Sequence, residues 1–371
     1  MAYQYETQRK ILVGVLAVLA ILCTWILEET KVYRRAPGYR VKKEAADLAA
    51  QSFEVLHDYY VGELGREIDP DDDPAGSGLI GPRSSPIRNA SGNLAGKRTA
   101  INPNFAAVFV DYFQQLGLER GDVVAIAQSG SFPGMSINLY AALQAMGLRP
   151  IVITAVGASS WGATDPEFTL LDMERVLEEA EVLQIRSDAA TPGGSDDMGN
   201  SLSREGRDLV RAAMERNGVE FLRSDNIHEA IARRMDVYFE GAGNRDIAAY
   251  INLGGTIASL GFSLRQVPLP SGLHLDLWTR NFPRAGTMVR LAKMGLPVIH
   301  MGLPQSIARE YGLAVAPDYV PEVGDGEALG KPGYSLTIAG IMLVVFLALI
   351  VILTLPELRR RLLKGAATGT A

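Results

Sequence analysis

Short apolar runs alternate with helix-like segments from residue 102 onward, and this alternation constrains the fold more than any other feature of the sequence. The runs VVAIAQ, RPIVITAV, IAAYINL and LPVIHMG have the length of buried strands, and apolar residues recur at helical spacing between them. Strands that are apolar on both faces pair in parallel and are covered by helices on each side. We therefore predict an α/β fold, with a Rossmann-like, doubly wound, mostly parallel sheet flanked by helices.

Small and hydroxyl-bearing residues follow the predicted strands, in the segments QSGSFPG, TAVGASSWGATDP, NLGGTIASLG and HMGLPQS. Ligands of doubly wound sheets lie beyond the carboxyl ends of the strands, so these segments predict a cradle for a carboxylate or a phosphate. The candidate ligand-binding residues are Ser129, Gly130, Phe132, Ser159, Ser160, Gly254, Gly255 and Thr256. The alternative is that the glycines form tight turns and the hydroxyls cap helices.

Ser131 has the position of a nucleophile, because it follows a predicted strand and opens a predicted helix. His300 at the end of another strand is the candidate base, and Asp165 or Asp276 is the acid that orients it. This pattern predicts a serine hydrolase with Ser131, His300 and Asp165 as its catalytic residues. The G-x-S-x-G motif is absent around both serine-rich segments, so the sequence leaves open whether the protein is an enzyme.

A basic segment interrupts an acidic domain. Residues 28–330 contain 29 basic and 40 acidic residues, a net charge of −11, which disfavours nonspecific nucleic-acid binding. The segment IGPRSSPIRNASGNLAGKRT is locally positive and rich in Gly, Pro and Ser. Its Arg83, Lys97 and Arg98 are candidates to neutralise an anionic ligand over the strand ends. The alternative is a solvent-exposed face or contact with lipid headgroups.

Cofactor and metal motifs are incomplete. NLGGTIASLG lacks the G-x-G-x-x-G spacing of dinucleotide sites, and SGNLAGKRT lacks the spacing and the Ser or Thr of a P-loop. Asp69, Asp71 and Asp73 alternate as in a calcium loop, but Pro74 and Ile80 replace the required Gly and the closing acid. The four histidines are scattered, and the single cysteine lies in an apolar run. We expect no cofactor and no metal.

Apolar runs without charged residues lie near both termini. Residues 11–27 and 335–355 predict transmembrane helices. The sequence EETKVYRR after the first run lacks the small residues of a cleavage site, which favours an uncleaved anchor over a signal peptide. The basic tail predicts a two-pass cell-membrane protein with both termini cytoplasmic and the α/β domain extracytoplasmic, whereas the basic residues after the first run favour the inverted topology.

Six segments follow from these observations. They are an N-terminal tail (1–10), transmembrane helix 1 (11–27), a membrane-proximal helix and Gly/Pro-rich loop (28–100), the α/β domain (101–330), transmembrane helix 2 (335–355) and a basic C-terminal tail (356–371). The helix of the third segment is predicted at residues 41–64, where good helix formers and apolar residues recur at helical spacing.

Four features together resemble one protein family. They are the helix at each end, LIGPRSSPIRNASGNLAGKRTAINPNFAAVFVDYF, QSGSFPGMSINLYAALQAMGL and VITAVGASSWGATDPEFTLLDME. Over nearly the whole chain they are similar to the membrane-attached "poly-gamma-glutamate system protein" of bacteria. The resemblance implies an accessory role in the biosynthesis or export of poly-γ-glutamate, a capsule or exopolymer. It implies a poly-γ-glutamate ligase and its small membrane partner as partners. The family brings no assigned catalytic residues to carry over to this sequence.

Two classes of function follow. In the first, the protein is a non-catalytic assembly or export factor that binds the anionic polymer or the synthase complex. In the second, it is an anchored serine-type hydrolase or transferase that acts on the polymer through Ser131. A cytoplasmic sensor is a third class, which the inverted topology favours. Membrane lipid is an expected partner in each class, and nucleic acid is not.

Overall fold

The computed structural model describes residues 2–194, 197–254, 256–262 and 268–351. The chain divides into two compact units. One unit contains the two terminal segments, up to Arg35 and from Gly330 onward, and the other is the α/β unit, Ala36–Leu329.

The terminal unit contains two helices and a two-stranded ribbon. Helix α1 (Ala2–Glu29) precedes β1 (Val32–Arg35), which pairs antiparallel with β11 (Gly330–Gly333), and residues 336–351 are helical. The described part of the chain contains no helix that combines the length and the apolar character needed to span a bilayer. Residues 352–355 of the second predicted span and the predicted tail 356–371 lie outside the described residues.

The α/β unit follows the predicted alternation. Its helices are α2 (Tyr39–Asp58, continued by a π-helical turn at Tyr59–Glu63), α3 (Leu94–Ala100), α4 (Phe105–Gln115), α5 (Pro133–Met146), α6 (Leu170–Glu179), α7 (Arg204–Arg216), α8 (Ile227–Ala242), α9 (Ile257–Leu260), α10 (Thr287–Lys293) and α11 (Pro304–Glu310), with a 3₁₀ turn at Leu277–Thr279. Its strands are β2 (Arg88–Ala90), β3 (Val123–Ser129), β4 (Arg149–Ala155), β5 (Ala158–Ser159), β6 (Ala189–Thr191), β7 (Glu220–Phe221), β8 (Ile247–Leu253), β9 (Gly272–His274) and β10 (Val298–Met301).

Seven of these strands form one sheet, in the order β7-β6-β4-β3-β8-β10-β9. Neighbours pair in parallel, except β10 and β9, which pair antiparallel. The chain runs outward from β3 through β4, β6 and β7, and it then returns to β8 on the other side of β3. The predicted α/β fold with a mostly parallel sheet flanked by helices is confirmed, and β3 and β8 flank its topological switch point.

Alternate residues of β3 pack against opposite helical layers. Val124 and Ile126 belong to the core that contains α2, α4, α5 and α6, whereas Val123 and Ala125 pack with residues of α8 and α10. All seven residues of β3 are buried. Both faces of this strand are therefore removed from water, which is why the run carries no charged residue.

The sequence pattern does not predict several short strands. β6 lies in the polar segment RSDAATPGGSDDMGNS, whose composition is typical of a loop, and β9 is a three-residue edge strand. β2 and β5 pair in parallel with each other, so the Gly/Pro-rich loop contributes a strand and, in α3, a helix. Elements of two or three residues are too short to show a period, and their partners in space hold them in place.

Candidate functional site

A cavity of about 290 Å³ lies beyond the carboxyl ends of β3 and β8, at the switch point. Segments that follow β3, β4, β6 and β8 meet there with the Gly/Pro-rich loop. The lining residues are Asn89, Ala90, Ser129, Ser131, Gly157, Gly194, Ser201, Thr256 and Ile257. The structure thus brings the predicted residues Ser129, Ser131 and Thr256 together at the edge of the sheet where ligands of such folds bind.

The turn QSGSFPG is both a tight connection and a wall of this cavity. β3 ends at Ser129, and α5 begins at Pro133, whose fixed φ suits the first helical position. The Ser131 N–H donates a hydrogen bond to Ser129 Oγ at 3.4 Å. A Cβ at Gly130 would lie 2.9 Å from the carbonyl oxygen of Val156, so glycine allows the close approach of β3 to the end of β4.

The turn after β8 brings Thr256 to the cavity. Gly254 has a φ of +74°, and a Cβ at this position would lie 3.3 Å from Ser129 Oγ, so the two turns pack closely. Gly255, also a predicted ligand residue, lies outside the described residues. Thr256 caps α9, with its Oγ1 accepting a hydrogen bond from the Ser259 N–H at 3.4 Å. The Thr256 side chain therefore both caps a helix and lines the cavity.

The Gly/Pro-rich loop closes one side of the cavity through β2. Ala90 is the register partner of Ser159, and the Ser160 N–H donates to the Ala90 carbonyl oxygen at 3.0 Å. Asn89 and Ala90 line the cavity. Ser160 is buried, whereas Ser159 is half-buried. Of the two predicted serines, Ser160 contributes a backbone contact and Ser159 remains partly open to solvent.

Lys97 has the most unusual environment among the predicted ligand residues. It is 2% exposed, its Nζ lies 2.8 Å from Ser159 Oγ, and it donates a hydrogen bond to the Ser131 carbonyl oxygen. The Phe132 ring covers the amine, with 4.0 Å between Nζ and the ring centroid. Burial lowers the pKa of the Lys97 amine to about 7, and no acidic side chain among the described residues offsets this effect. A buried amine without a carboxylate partner destabilises the fold, which makes Lys97 a candidate functional residue.

The other two predicted basic residues hold loops. Arg98 donates to the carbonyl oxygens of Asp71 and Asp72, with 2.9 Å between its Nε and the Asp72 oxygen. The Arg83 guanidinium lies over the Trp161 ring, 5.5 Å from the ring centroid. Neither arginine is among the described lining residues of the cavity. Their contacts therefore do not support a direct role in ligand binding.

Ser131, His300 and Asp165 each have partners other than one another. The Ser159 N–H donates a hydrogen bond to Ser131 Oγ at 3.1 Å. The Asn252 amide lies 3.1 Å from His300 Nδ1, and Arg66 Nε donates to Asp165 Oδ2 at 2.8 Å. Burial lowers the pKa of His300 to about 4, so its imidazole is neutral at neutral pH. His300 lies within β10, not beyond its end, and Asp276, the alternative acid, is exposed. The hydrogen bonds of the described residues therefore do not assemble the predicted triad.

A larger cleft of about 660 Å³ is lined by α2 and by residues 76–77 and 320–323 rather than by the ends of the sheet strands. Its lining includes Glu54, Asp58 and Glu322, so its charge is unfavourable for an anion. Among the described residues, no group of three or more His, Cys, Asp or Glu is placed to hold a metal ion. The switch-point cavity is therefore the better candidate for an anionic ligand.

Several site residues have little or no signal in the sequence. Asn89 lines the cavity from β2, and Gly194 and Ser201 line it from loops. A local composition rich in Gly, Ser and Asn is their only signal in the sequence. The approach of Lys97 to Ser159 has no signal at all, because 62 positions separate the two residues along the chain.

In comparisons with known proteins, no protein-family model, no curated protein and no solved structure matches this chain.

Proposed function

We propose that the switch-point cavity binds an anionic ligand that carries carboxylates, and that the protein is an accessory component of poly-γ-glutamate biosynthesis or export. The proposal of an anionic ligand is supported first by the position of the cavity. It lies beyond β3 and β8, with Ser129, Ser131 and Thr256 in its lining. Hydroxyl groups in such a crevice donate hydrogen bonds to carboxylate oxygens, and bonds to a charged acceptor are the stronger ones.

Local charge favours an anion in the cavity. α5 begins two residues after Ser131, so the positive end of its dipole and its first N–H groups, which have no acceptor inside the helix, lie at this turn. Lys97 adds a positive charge when it is protonated. The net charge of −11 on residues 28–330 opposes a polyanion, but physiological salt screens charges over about 8 Å. The groups nearest the cavity therefore dominate.

The pathway comes from the resemblance of the sequence. Two of the segments that carry this resemblance, QSGSFPG and LIGPRSSPIRNASGNLAGKRT, contribute Ser129, Ser131, Asn89 and Ala90 to the cavity. Each residue of poly-γ-glutamate presents one carboxylate beside an amide bond, which matches the chemistry of the cavity. The ligase and its small membrane partner are the proposed partners.

We propose further that residues 11–27 and 335–355 anchor the chain in the cell membrane, with both termini cytoplasmic and the α/β unit outside. The absence of charged residues from both runs supports this part of the proposal. α1 contains the first run, and residues 336–351 of the second are helical. Such an anchor keeps the α/β unit at the membrane, where an exported polymer emerges.

Ser201→Trp tests the ligand site. Ser201 lines the cavity and is exposed, so an indole at this position fills the cavity without disturbing the core. We expect the affinity of the purified full chain for a short γ-linked glutamate oligomer to fall at least ~10-fold, about 1.4 kcal/mol, by isothermal titration calorimetry. Ser84→Trp, at an exposed serine outside the described lining, is the matched control and keeps the affinity. Equal binding by Ser201→Trp contradicts this location of the site.

Polymer production tests the pathway. In a host that carries the ligase and its partner, we expect less poly-γ-glutamate with Ser201→Trp than with the unmodified chain or Ser84→Trp, at matched protein levels. Amount and chain length are measured together. Identical polymer with and without the protein rules out the pathway assignment and leaves the binding measurement intact.

The second candidate function is an anchored serine-type hydrolase or transferase that acts on the polymer. One observation favours it, because the buried amine of Lys97 lies 2.8 Å from a serine hydroxyl. That hydroxyl belongs to Ser159. Ser131 meets the same amine only through its carbonyl oxygen.

A further inference from the structure

We propose that Ser159 and Lys97 form a nucleophile and general-base pair that cleaves an amide bond in a ligand held by the switch-point cavity. This inference rests on the proposed ligand site and adds a reaction to it. Ser159 is not among the described lining residues of the cavity, but it adjoins them along the chain and across the strand pair, since Gly157 and the register partner of Ser159, Ala90, both line the cavity. Ser159 is half-buried, so the residue keeps partial contact with solvent.

The Lys97 amine is held in a defined orientation. It donates hydrogen bonds to the Ser131 carbonyl oxygen and to Ser159 Oγ, the second at 2.8 Å. The Phe132 ring covers it at 4.0 Å. A neutral amine held in this way can direct its lone pair at the Ser159 hydroxyl hydrogen. A base at about 2.6–3.2 Å from a serine hydroxyl has the geometry that activates a nucleophile.

The surroundings of Lys97 favour the neutral amine. Burial lowers the pKa of the Lys97 amine to about 7, from an ordinary value of 10.5. At pH 7 about half of the molecules therefore carry the neutral amine, which is the form that can accept a proton. Charged groups on the neighbouring described elements do not reverse this effect. α5 contains no charged residue, and Arg98 of α3 is bound to loop carbonyl oxygens. Arg88 of β2 and both Arg309 and Glu310 of α11 are exposed.

Ser131 supports Ser159 and does not compete with it for the base. Ser131 Oγ accepts a hydrogen bond from the Ser159 N–H at 3.1 Å, which ties Ser159 to the turn before α5. The first N–H groups of α5 have no acceptor within the helix. Such donors are suited to stabilise the oxyanion that forms when a serine attacks a carbonyl group.

The reaction has two halves. In the first, Lys97 takes the Ser159 hydroxyl proton, Oγ bonds to the amide carbon, and the carbonyl electron pair moves to oxygen. When this electron pair returns to re-form the carbonyl group, the C–N bond breaks and the leaving amine takes the proton from Lys97. An ester then remains on Ser159. In the second, water attacks the ester with Lys97 as base, and the released Ser159 oxygen recovers the proton. The products are a carboxylic acid and an amine, and water is the only co-reactant.

The substrate class follows from the proposed ligand site. The cavity selects carboxylates, and the Ser159–Lys97 pair cleaves amides. The substrate is therefore an amide flanked by carboxylates, such as a γ-linked glutamate chain. The expected consequence is shorter polymer, with a free amine and a free carboxylate for each bond that is cut.

A phosphonofluoridate probe tests the nucleophile in the purified full chain. The probe forms a P–O bond with an activated serine and releases fluoride, and intact-mass and peptide mass spectrometry locate the adduct. We expect the adduct on Ser159 and none in Ser159→Ala. Ser84→Ala, which changes an exposed serine outside the described cavity lining, is the control and reacts at the unmodified rate. An adduct on Ser131, or no adduct on the unmodified chain, overturns the proposal.

Two substitutions separate a base from a merely structural lysine. Lys97→Met removes the base, and Lys97→Arg keeps the charge but cannot accept a proton at these pH values. We expect both to slow labelling at least ~100-fold. Thermal melting identifies a variant that fails to fold, and Lys97→Met removes a buried amine, so its melting temperature is expected to hold. Labelling restored by Lys97→Arg, or unchanged in folded Lys97→Met, rejects the base role.

The pH profile distinguishes this inference from the ligand site on which it rests. Labelling is expected to rise about tenfold per pH unit below pH 7 and to level off above it, because the neutral amine is the base. Binding of an anion favours the protonated amine, so the affinity for the oligomer is expected to fall as pH rises through about 7. If the chain binds the oligomer but forms no Ser159 adduct, the Ser159–Lys97 pair alone is overturned. If Ser159 forms the adduct but the chain does not bind the oligomer, the proposed ligand is overturned.

Discussion

Replacement of Arg234 by methionine is expected to lower the free energy of unfolding by about 3–5 kcal/mol. Arg234 is 1% exposed and pairs with Asp197, with 2.6 Å between Nε and Oδ2 and 2.9 Å between Nη2 and Oδ1. Its Nη2 also donates to the Thr191 hydroxyl at the end of β6. Methionine fills much of the same volume but leaves a buried carboxylate without its cation.

Arg233→Met on the same helix is the matched control. Arg233 is exposed and pairs with Glu229 four residues earlier, so its loss is expected to cost about 0.5 kcal/mol or less. Adding Asp197→Asn to Arg234→Met removes the unpaired buried carboxylate, so this double variant is expected to recover part of the lost free energy of unfolding. Urea unfolding followed by tryptophan fluorescence measures all four chains. A loss below about 1 kcal/mol contradicts the assignment of a buried, strongly coupled pair.

The same substitution is expected to weaken the ligand site. Asp197 lies between Gly194 and Ser201, which line the cavity, and its φ of +69° is in the left-handed region that residues other than glycine seldom adopt. Without Arg234 the loop loses its buried attachment to α8. We therefore expect lower affinity for the γ-linked glutamate oligomer in any fraction of Arg234→Met that folds.

Substitution of Glu174 by glutamine is expected to change how stability depends on pH. Glu174 is buried on α6 and accepts hydrogen bonds from the Tyr140 hydroxyl at 2.6 Å and from the Ser187 N–H and hydroxyl, each at 2.8 Å. Burial raises its pKa to about 7, from an ordinary value of 4.5. Between these values the folded chain holds a proton that the unfolded chain releases. The Glu174 contribution to stability is therefore present below pH 4.5 and falls by about 3 kcal/mol as pH rises to about 7.

Glutamine cannot titrate, so Glu174→Gln is expected to gain about 3 kcal/mol relative to the unmodified chain between pH 5 and pH 8. The amide also disturbs one of the accepted hydrogen bonds, which costs about 1–3 kcal/mol at every pH and leaves the slope unaffected. Glu179→Gln at an exposed position of the same helix is the control and keeps the original profile. Parallel stability curves for Glu174→Gln and the unmodified chain would falsify the raised pKa.

The main helices and strands are predictable from local pattern. The run IAAYINL coincides with β8, and VVAIAQ predicts β3 to within one residue, because an apolar strand buried on both faces excludes charge along its length. The segment at 41–64 is helical in α2 and the π-helical turn that continues it. β6 and β9 escape prediction because three-residue strands exist only through their neighbours in the sheet.

The candidate site is predictable only in part. Ser129, Ser131 and Thr256 meet as expected, because the carboxyl ends of parallel strands share one edge. The triad does not assemble, because His300 is held inside the sheet by Asn252 and Asp165 is bound to Arg66. Spacing along the chain carries no information about either contact.

The amino-acid sequence by itself determined the main strands and helices, and that small, hydroxyl-bearing turns follow those strands. Periodicity and turn chemistry are local properties, so they can be read without the fold. Only the tertiary structure decided that β3 and β8 flank the switch point, that the Gly/Pro-rich loop closes over it, and that Lys97 is buried beside Ser159. Strand order and burial arise from contacts between distant residues, and those contacts set the pKa of Lys97.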